Sequence, residues 1–288
     1  MTVSGMAVEP IAGSLGAVVR GIDVAIDLDA ASVEALQQAL AGHLVIFLPG
    51  QDLDPEHLLA FTRRIGAPMR LPYVAAMPEH PEVIAVLKEA DEERISVFGG
   101  DWHSDYSFLA EPPMGSVLYA DTVPETGGDT LWANMIAAYA ALSDGMKSML
   151  CPLHAMHSGH VYGAERPPVG IRTSRSIGIS RGNSDADRER PHPLIRRHEP
   201  TGQSALFVNP IYTTRIADMT ETESQPLLDF LYAHATRPEF CCRWHWRQGD
   251  VALWDNRATL HYAINDYDGH RRLLYRTAIA GEVPVGTA

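Results

Sequence analysis

Trp102-His103-Ser104-Asp105 is the stretch from which the rest of the chain can be read. In an extended segment, residues i and i+2 point to the same side. His103 and Asp105 can therefore both reach one metal ion. A third ligand must come from elsewhere in the fold, and His261, in Thr259-Leu260-His261-Tyr262, is the best candidate. Two histidines and one carboxylate are what an iron(II) facial triad needs, and three protein ligands leave three octahedral positions open. An H-x-D triplet alone is weak evidence in a chain with 13 histidines, and by itself it reads as a surface turn. Its setting argues otherwise. Trp102 and Phe108 bracket it with apolar bulk that suits a pocket wall, and Gly99-Gly100 just before it give the backbone freedom.

Composition narrows the classes. The chain has 288 residues and is 45% hydrophobic, enough for one large soluble domain or two small ones. A formal net charge of -13 argues against nucleic acid as partner, although one local arginine still suffices for a small anionic substrate. Cys151, Cys241 and Cys242 are odd in number and two are adjacent, which indicates no disulfide framework and predicts a cytoplasmic protein. No signal peptide is recognised, and the apolar run Leu44 to Leu48 is too short to span a bilayer, so no membrane partner is expected.

The pattern predicts many short strands with a few helices and no regular βαβ rhythm. Ser32 to Ala41 reads as a helix ended by Gly42, and Asp54-Pro55 opens another that stops at Gly66. Asn134 caps a short helix through Ala141, and Thr220 to Glu223 is a capping box opening a helix to about Ala235. Strands are expected at His43 to Leu48, Val83 to Leu87, Ser116 to Val123, Glu239 to Arg247, Val251 to Asp255 and Arg272 to Ala280. Tyr162 to Pro193 is rich in Arg, Ser, Gly, Asp and Pro with little periodicity. A stretch of that kind predicts a mobile lid inserted into a single domain spanning 1–288 rather than a linker.

Taken in order, H-x-D, Gly127-Gly128-Asp129-Thr130, Trp254-Asp255-Asn256-Arg257, His261, Arg272 and Arg276 form a combination that chance does not readily produce. The chain here resembles the iron(II)/2-oxoglutarate dioxygenases typified by taurine dioxygenase and 2,4-dichlorophenoxyacetate dioxygenase. The resemblance runs over nearly the whole length, through GHLVIFLPGQ at 42–51, DWHSDYSF at 101–108, VPETGGDTLWANM at 123–135, ALFVNPIYTTRI at 205–216, GDVALWDNRATLHYAINDY at 249–267 and RRLLYRTAI at 271–279. It implies a mixed, mainly β fold, with a double-stranded β-helix (jelly roll) core and flanking α-helices. It also implies Fe(II) as cofactor, with 2-oxoglutarate and O2 as cosubstrates.

Carried over residue by residue, the resemblance makes His103, Asp105 and His261 the iron ligands. Arg272 would pair with the distal carboxylate of 2-oxoglutarate and Thr130 would hydrogen-bond the same group. Arg276 would face the anionic group of the substrate. Residues i and i+4 share a face of a strand, so both arginines can point inward, and a planar guanidinium suits both tasks. Tyr106 and Tyr212 would line the substrate pocket, with Tyr73 beside them. Leu71 and Gly99 stand where the taurine-specific branch carries a histidine and an asparagine, which argues against taurine itself. The implied reaction is hydroxylation of a small anionic organic compound (a sulfonate, sulfate ester, carboxylate or aryloxyalkanoate), with C–S or C–O cleavage where the hydroxylated product collapses. A homo-oligomer, dimer or tetramer, is expected by the same resemblance.

Competing readings are a non-catalytic binding module on the same fold and a serine hydrolase. Gly178-Ile179-Ser180-Arg181-Gly182 matches the G-x-S-x-G elbow, but its polar flanks lack the strand before and helix after that the elbow needs. His154, His157 and His160 recur every third residue without the i, i+4 pair of a zinc helix and read as strand and pocket-edge residues.

Overall fold

The computed structural model describes residues 5–93, 95–164 and 175–287. Its largest sheet has eight strands. Seven run in the order Ala7–Pro10, Ala17–Arg20, Val45–Leu48, Val251–Asp255, Gly115–Thr122, Arg272–Ile279 and Pro68–Met69, and Val83–Lys88 also pairs with Arg272–Ile279. Every pairing is antiparallel except that of Ala17–Arg20 with Val45–Leu48. A second sheet joins Cys241–Trp244, Thr130–Asn134 and Thr259–Ala263. The fold is thus mixed and mainly β, as expected.

The alternation of residues explains why the large sheet sits in the middle. In Val45–Leu48 and Val251–Asp255, every residue is buried. Val45, Phe47, Ala252 and Trp254 point into a core shared with the smaller sheets, where Trp132, Leu260 and Leu274 meet them. Ile46, Leu48, Val251 and Leu253 point the other way, onto Leu36 and Leu40 of helix Ala30–His43 and Leu58 and Phe61 of helix Pro55–Ile65. A strand covered on both faces needs such an unbroken apolar run. Phe47 crosses between the two sheets, edge-on to Trp132 at 5.3 Å and stacked on Trp244 at 4.1 Å.

Helix signals hold best where a cap carries them. Asn134 accepts from the amides of Ile136 and Ala137, and the Thr220–Glu223 capping box opens a helix that runs Glu221–Ala235. Two expectations need correction. The first helix does not stop at Gly42 but continues to His43, and Leu44 takes the left-handed cap conformation (φ 61°). The strand expected from Glu239 to Arg247 is only Cys241–Trp244, after a single 3-10 turn. It ends there because the Asp250 carboxylate accepts from both the Trp244 indole and the Arg247 amide, turning the chain back.

Part of the 162–193 segment, residues 165–174, lies outside the described residues. The remainder is tied down. Ser176 donates to Glu92, Ile179 bridges to Val74, Asp185 accepts from the Tyr73 hydroxyl, and Arg190–Pro193 pairs with His154–His157. Among the described residues no helix is long and apolar enough to cross a membrane.

Candidate active site

His103, Asp105 and His261 converge. Their ligand atoms all lie within 4.8 Å of one another, and all three residues are buried. The Nε2 atoms of both histidines are 3.5 Å from Asp105 Oδ1. That spacing suits a shared ion bonded at about 2.1 Å to each. The route to it differs from a plain strand. His103 and His261 pair through two backbone hydrogen bonds, His103 N to His261 O at 3.0 Å and the reverse at 2.8 Å. The chain then turns at Asp105, and Tyr106 sits at φ 47°. His103 Nδ1 donates to the Asp101 carbonyl at 2.7 Å, which leaves Nε2 with a lone pair for a metal.

Asp105 is held from every side. The Asn256 side chain accepts from the Asp105 amide at 2.6 Å and donates to its carbonyl at 2.9 Å. Ser116 donates to Oδ2 at 3.1 Å, and Arg276 makes an ion pair with the same oxygen. Burial alone would raise the carboxyl; Arg276 and the two histidines outweigh it and hold Asp105 well below the usual carboxylate range. Burial, then the neighbouring His103, depress His261, so it presents a neutral imidazole suited to ligating a metal.

An inner cavity opens beside His103 and His261 and is also lined by Thr130, Arg272 and Arg276. Arg272, Leu274 and Arg276 share one face of their strand, which places both guanidinium groups inside. Gly128 (φ 69°) makes the room: a Cβ there would lie 3.0 Å from Arg272 Nε. Gly99 (φ 79°) does the same for His103, whose Cε1 would be 3.2 Å from a Cβ. Among the described residues, Arg272 Nε and Nη2 are buried without a hydrogen-bond partner. A buried cation with spare donors fits an anionic ligand. Thr130 accepts from the Trp246 indole at 3.0 Å, so its own hydroxyl proton is available to an acceptor. The donor set and the unspent cation thus fit both the metal and a dicarboxylate beside it.

An outer cavity of about 200 Å³ adjoins the triad and is lined by His103, Asp105, Tyr106 and Tyr212. Residues the sequence did not single out complete its wall, notably Tyr162, Ile177, Ile179 and Ile211. Arg276 lines the inner cavity rather than this one, with its guanidinium turned to Asp105. Tyr73 and Leu71 stand one layer back. Tyr73 stacks on Tyr162 at 5.3 Å, and Leu71 packs against the same cluster. Ser180 is exposed, and among the described residues its hydroxyl reaches only the Asn183 side chain, at 3.2 and 3.4 Å, with no strand-to-helix elbow around it. His154, His157 and His160 do not converge: His157 is fully buried and bonded to Ser107, whereas His154 is exposed.

The family described as "Taurine catabolism dioxygenase TauD, TfdA family" matches residues 7–278. The chain belongs to that family. An alpha-ketoglutarate-dependent sulfate ester dioxygenase of Pseudomonas putida is 38% identical, covering 97% of this chain and 91% of that protein. An (S)-phenoxypropionate/alpha-ketoglutarate dioxygenase of Sphingobium herbicidovorans is 31% identical over 98% and 97%. Among solved structures, a taurine dioxygenase from Burkholderia xenovorans superposes with a TM-score of 0.81 at 33% identity, covering 98% of this chain and 93% of its own. AAD-2, solved with Mn(II) and N-oxalylglycine, superposes at 0.78 with 28% identity, over 99% and 100%. As a TauD/TfdA enzyme the chain is a dioxygenase that uses Fe(II), 2-oxoglutarate and O2.

Proposed function

We propose that this dioxygenase holds iron through His103, Asp105 and His261 and hydroxylates a small anionic substrate in the outer cavity. The observation that carries the reading is the convergence of the three ligands beside two cavities, an inner one also lined by Arg272 and Arg276 and an outer one walled by tyrosines and isoleucines. Iron with 2-oxoglutarate supplies the oxidising power, releasing succinate and carbon dioxide as one oxygen atom enters the substrate. The protein supplies placement. Arg272 and Thr130 grip the distal carboxylate of 2-oxoglutarate, Arg276 orients Asp105 and faces the bound anions, and Tyr106 and Tyr212 wall the substrate. Tyr73 and Leu71 back that wall.

Sulfonate, sulfate ester, carboxylate and aryloxyalkanoate substrates all suit a chamber walled by tyrosines and isoleucines that Arg181 also lines. Hydroxylation of the carbon bearing a sulfate ester oxygen yields an unstable adduct. It collapses to an aldehyde and inorganic sulfate, which is C–O cleavage without hydrolysis. The likeness to the Pseudomonas putida and Sphingobium herbicidovorans enzymes supports these classes. The two facing sheets support a double-stranded β-helix core in one domain over 1–288, with the flanks of 165–174 roofing the cavity through Ile177 and Ile179. Three free cysteines accord with a cytoplasmic enzyme, and the family resemblance favours a homo-oligomer, dimer or tetramer.

The test is anaerobic addition of Fe(II) and then 2-oxoglutarate. A visible charge-transfer band is expected, followed on admitting air by succinate whose yield rises with an alkyl sulfate or aryloxyalkanoate in a substrate panel. Absence of the band in metal-loaded protein would refute the reading.

A further inference from the structure

The outer chamber has a buried end and an open one. His103, Asp105 and Tyr106 line it and are buried, whereas Ser96, Asp101 and Arg181 line it and are exposed, which places those three at the opening. From buried Ile177 through half-buried Ile179 to exposed Arg181, one short stretch of chain follows the wall from the interior to solvent. That stretch is pinned. Ile179 bridges to Val74, the Ser180 amide donates to the Tyr73 carbonyl at 2.8 Å, and the Gly182 amide donates to the Gly163 carbonyl at 3.1 Å. Arg181 therefore stands between two anchored peptides, and its backbone is fixed at the rim.

Among the described residues, Arg181 is the one lysine or arginine that lines this chamber, and its guanidinium has no hydrogen-bond or ion-pair partner. Arg276 lines the inner cavity instead and is paired there with Asp105. A chain of net charge -13 repels small anions as a whole. At physiological ionic strength that field is screened beyond about 8 Å, so the charges at the opening decide how readily an anion enters. An unpaired guanidinium on a fixed backbone is suited to that task, because no partner has to be displaced and its fork of donors accepts several kinds of oxyanion.

We infer that Arg181 is a specificity-determining residue at the entrance of the chamber, which draws anionic substrates in through its charge and takes no part in their oxidation. The inference rests on the outer cavity being the substrate site. An exposed cation acts through water-like surroundings, so its effect is modest, about threefold to fivefold in affinity, and sensitive to salt.

Calorimetry on anaerobic enzyme loaded with Fe(II) and 2-oxoglutarate tests this, with n-hexyl sulfate as probe. In wild type the dissociation constant is expected to rise about twofold to threefold between roughly 20 and 200 mM salt. Arg181→Gln should weaken binding about threefold to fivefold at the lower salt and flatten that dependence, and Arg181→Lys should keep both close to wild type. Arg188 is exposed on the same segment and does not line the chamber, so Arg188→Gln removes an equal charge as a control and should stay within about 1.5-fold. In turnover, Arg181→Gln should raise KM and leave kcat unchanged. If that variant fails to fold, Arg181→Glu carries the comparison, with a loss of about tenfold expected from the reversed charge. No binding of the probe by wild type, Arg181→Gln within about 1.5-fold of wild type, or an equal loss in Arg188→Gln would overturn the inference. The charge-transfer band separates the outcomes. If it forms while the affinities stay put, only the role of Arg181 fails; if it never forms, the iron and 2-oxoglutarate reading fails with it.

Discussion

The two cavities on either side of the triad are built from different material. The inner one takes Thr130, His261, Arg272 and Arg276 from regular strands, whose registers are fixed by paired neighbours. The outer one takes Val161, Ile177, Ile179 and Ile211 from a turn and irregular connections. Strand positions are over-determined by hydrogen bonds and core packing, so a side chain there cannot drift without breaking the sheet. Connections tolerate change. The groups proposed to hold iron and cosubstrate therefore sit where geometry is least free to vary. The groups that would choose the substrate sit where sequence can change at little cost.

The largest effect should follow from removing the inner cation. Arg272→Met is expected to weaken 2-oxoglutarate binding by roughly a hundredfold, since at least two charge-assisted hydrogen bonds are lost. It should also leave the cosubstrate-free protein as stable as wild type or more so, because a buried guanidinium with idle donors is costly. A titration of 2-oxoglutarate beside a melting curve reads both. A variant that melts far below wild type would show that Arg272 is there for packing.

Asn256→Ala comes next. It removes the amide that holds both backbone polar groups of Asp105. A loss of about 2–4 kcal/mol in stability is expected from the orphaned groups, with iron affinity down by roughly 10–100-fold. Unchanged iron affinity in a folded variant would mean that the Asp105 turn holds its shape unaided.

A pH effect of about 1.4 kcal/mol per unit should arise behind the triad. His157, bonded to Ser107 at 3.0 Å, is pushed down by burial, then by nearby His192, to about 3. The unfolded chain takes up this proton first, near pH 6.5. Stability is therefore full above that value and falls by about 1.4 kcal/mol for each unit as pH drops towards 3. Denaturant unfolding of wild type and His157→Gln between about pH 5.5 and pH 4 should differ in slope by close to one proton. Parallel slopes would contradict the assignment.

The smallest effect belongs to the outer wall. Ile177→Ala should change the substrate requirement several-fold and the 2-oxoglutarate requirement hardly at all, because the lost contacts are apolar and few. Equal effects on both, read from succinate formation, would erase the distinction between the cavities.

Sequence reading recovered the inner cavity and much less of the outer one. His103, Asp105 and His261 were legible because metal chemistry restricts residue type and spacing, whereas Thr130, Arg272 and Arg276 came from the resemblance to the family. The strands Thr130–Asn134 and Thr259–Ala263 that present two of those residues were not anticipated, and His103 enters through a bridge and turn rather than a strand. Tyr162, Ile177 and Ile179 stayed hidden for a physical reason. They are isolated apolar residues in a polar stretch, so no period of 2 or 3.6 marks them. Only tertiary contact with Tyr73, Phe108 and Val74 buries them. Asn256 was visible within its motif, but its grip on Asp105 spans 151 residues and no local pattern encodes it.

The most direct measurement is a crystal structure of the protein grown anaerobically with Mn(II) and 2-oxoglutarate, with the metal located by anomalous scattering. The account predicts one strong peak bonded to His103 Nε2, Asp105 Oδ1 and His261 Nε2, and a carboxylate between Arg272 and Thr130. A metal peak bound elsewhere, with these three side chains free of it, would contradict the account.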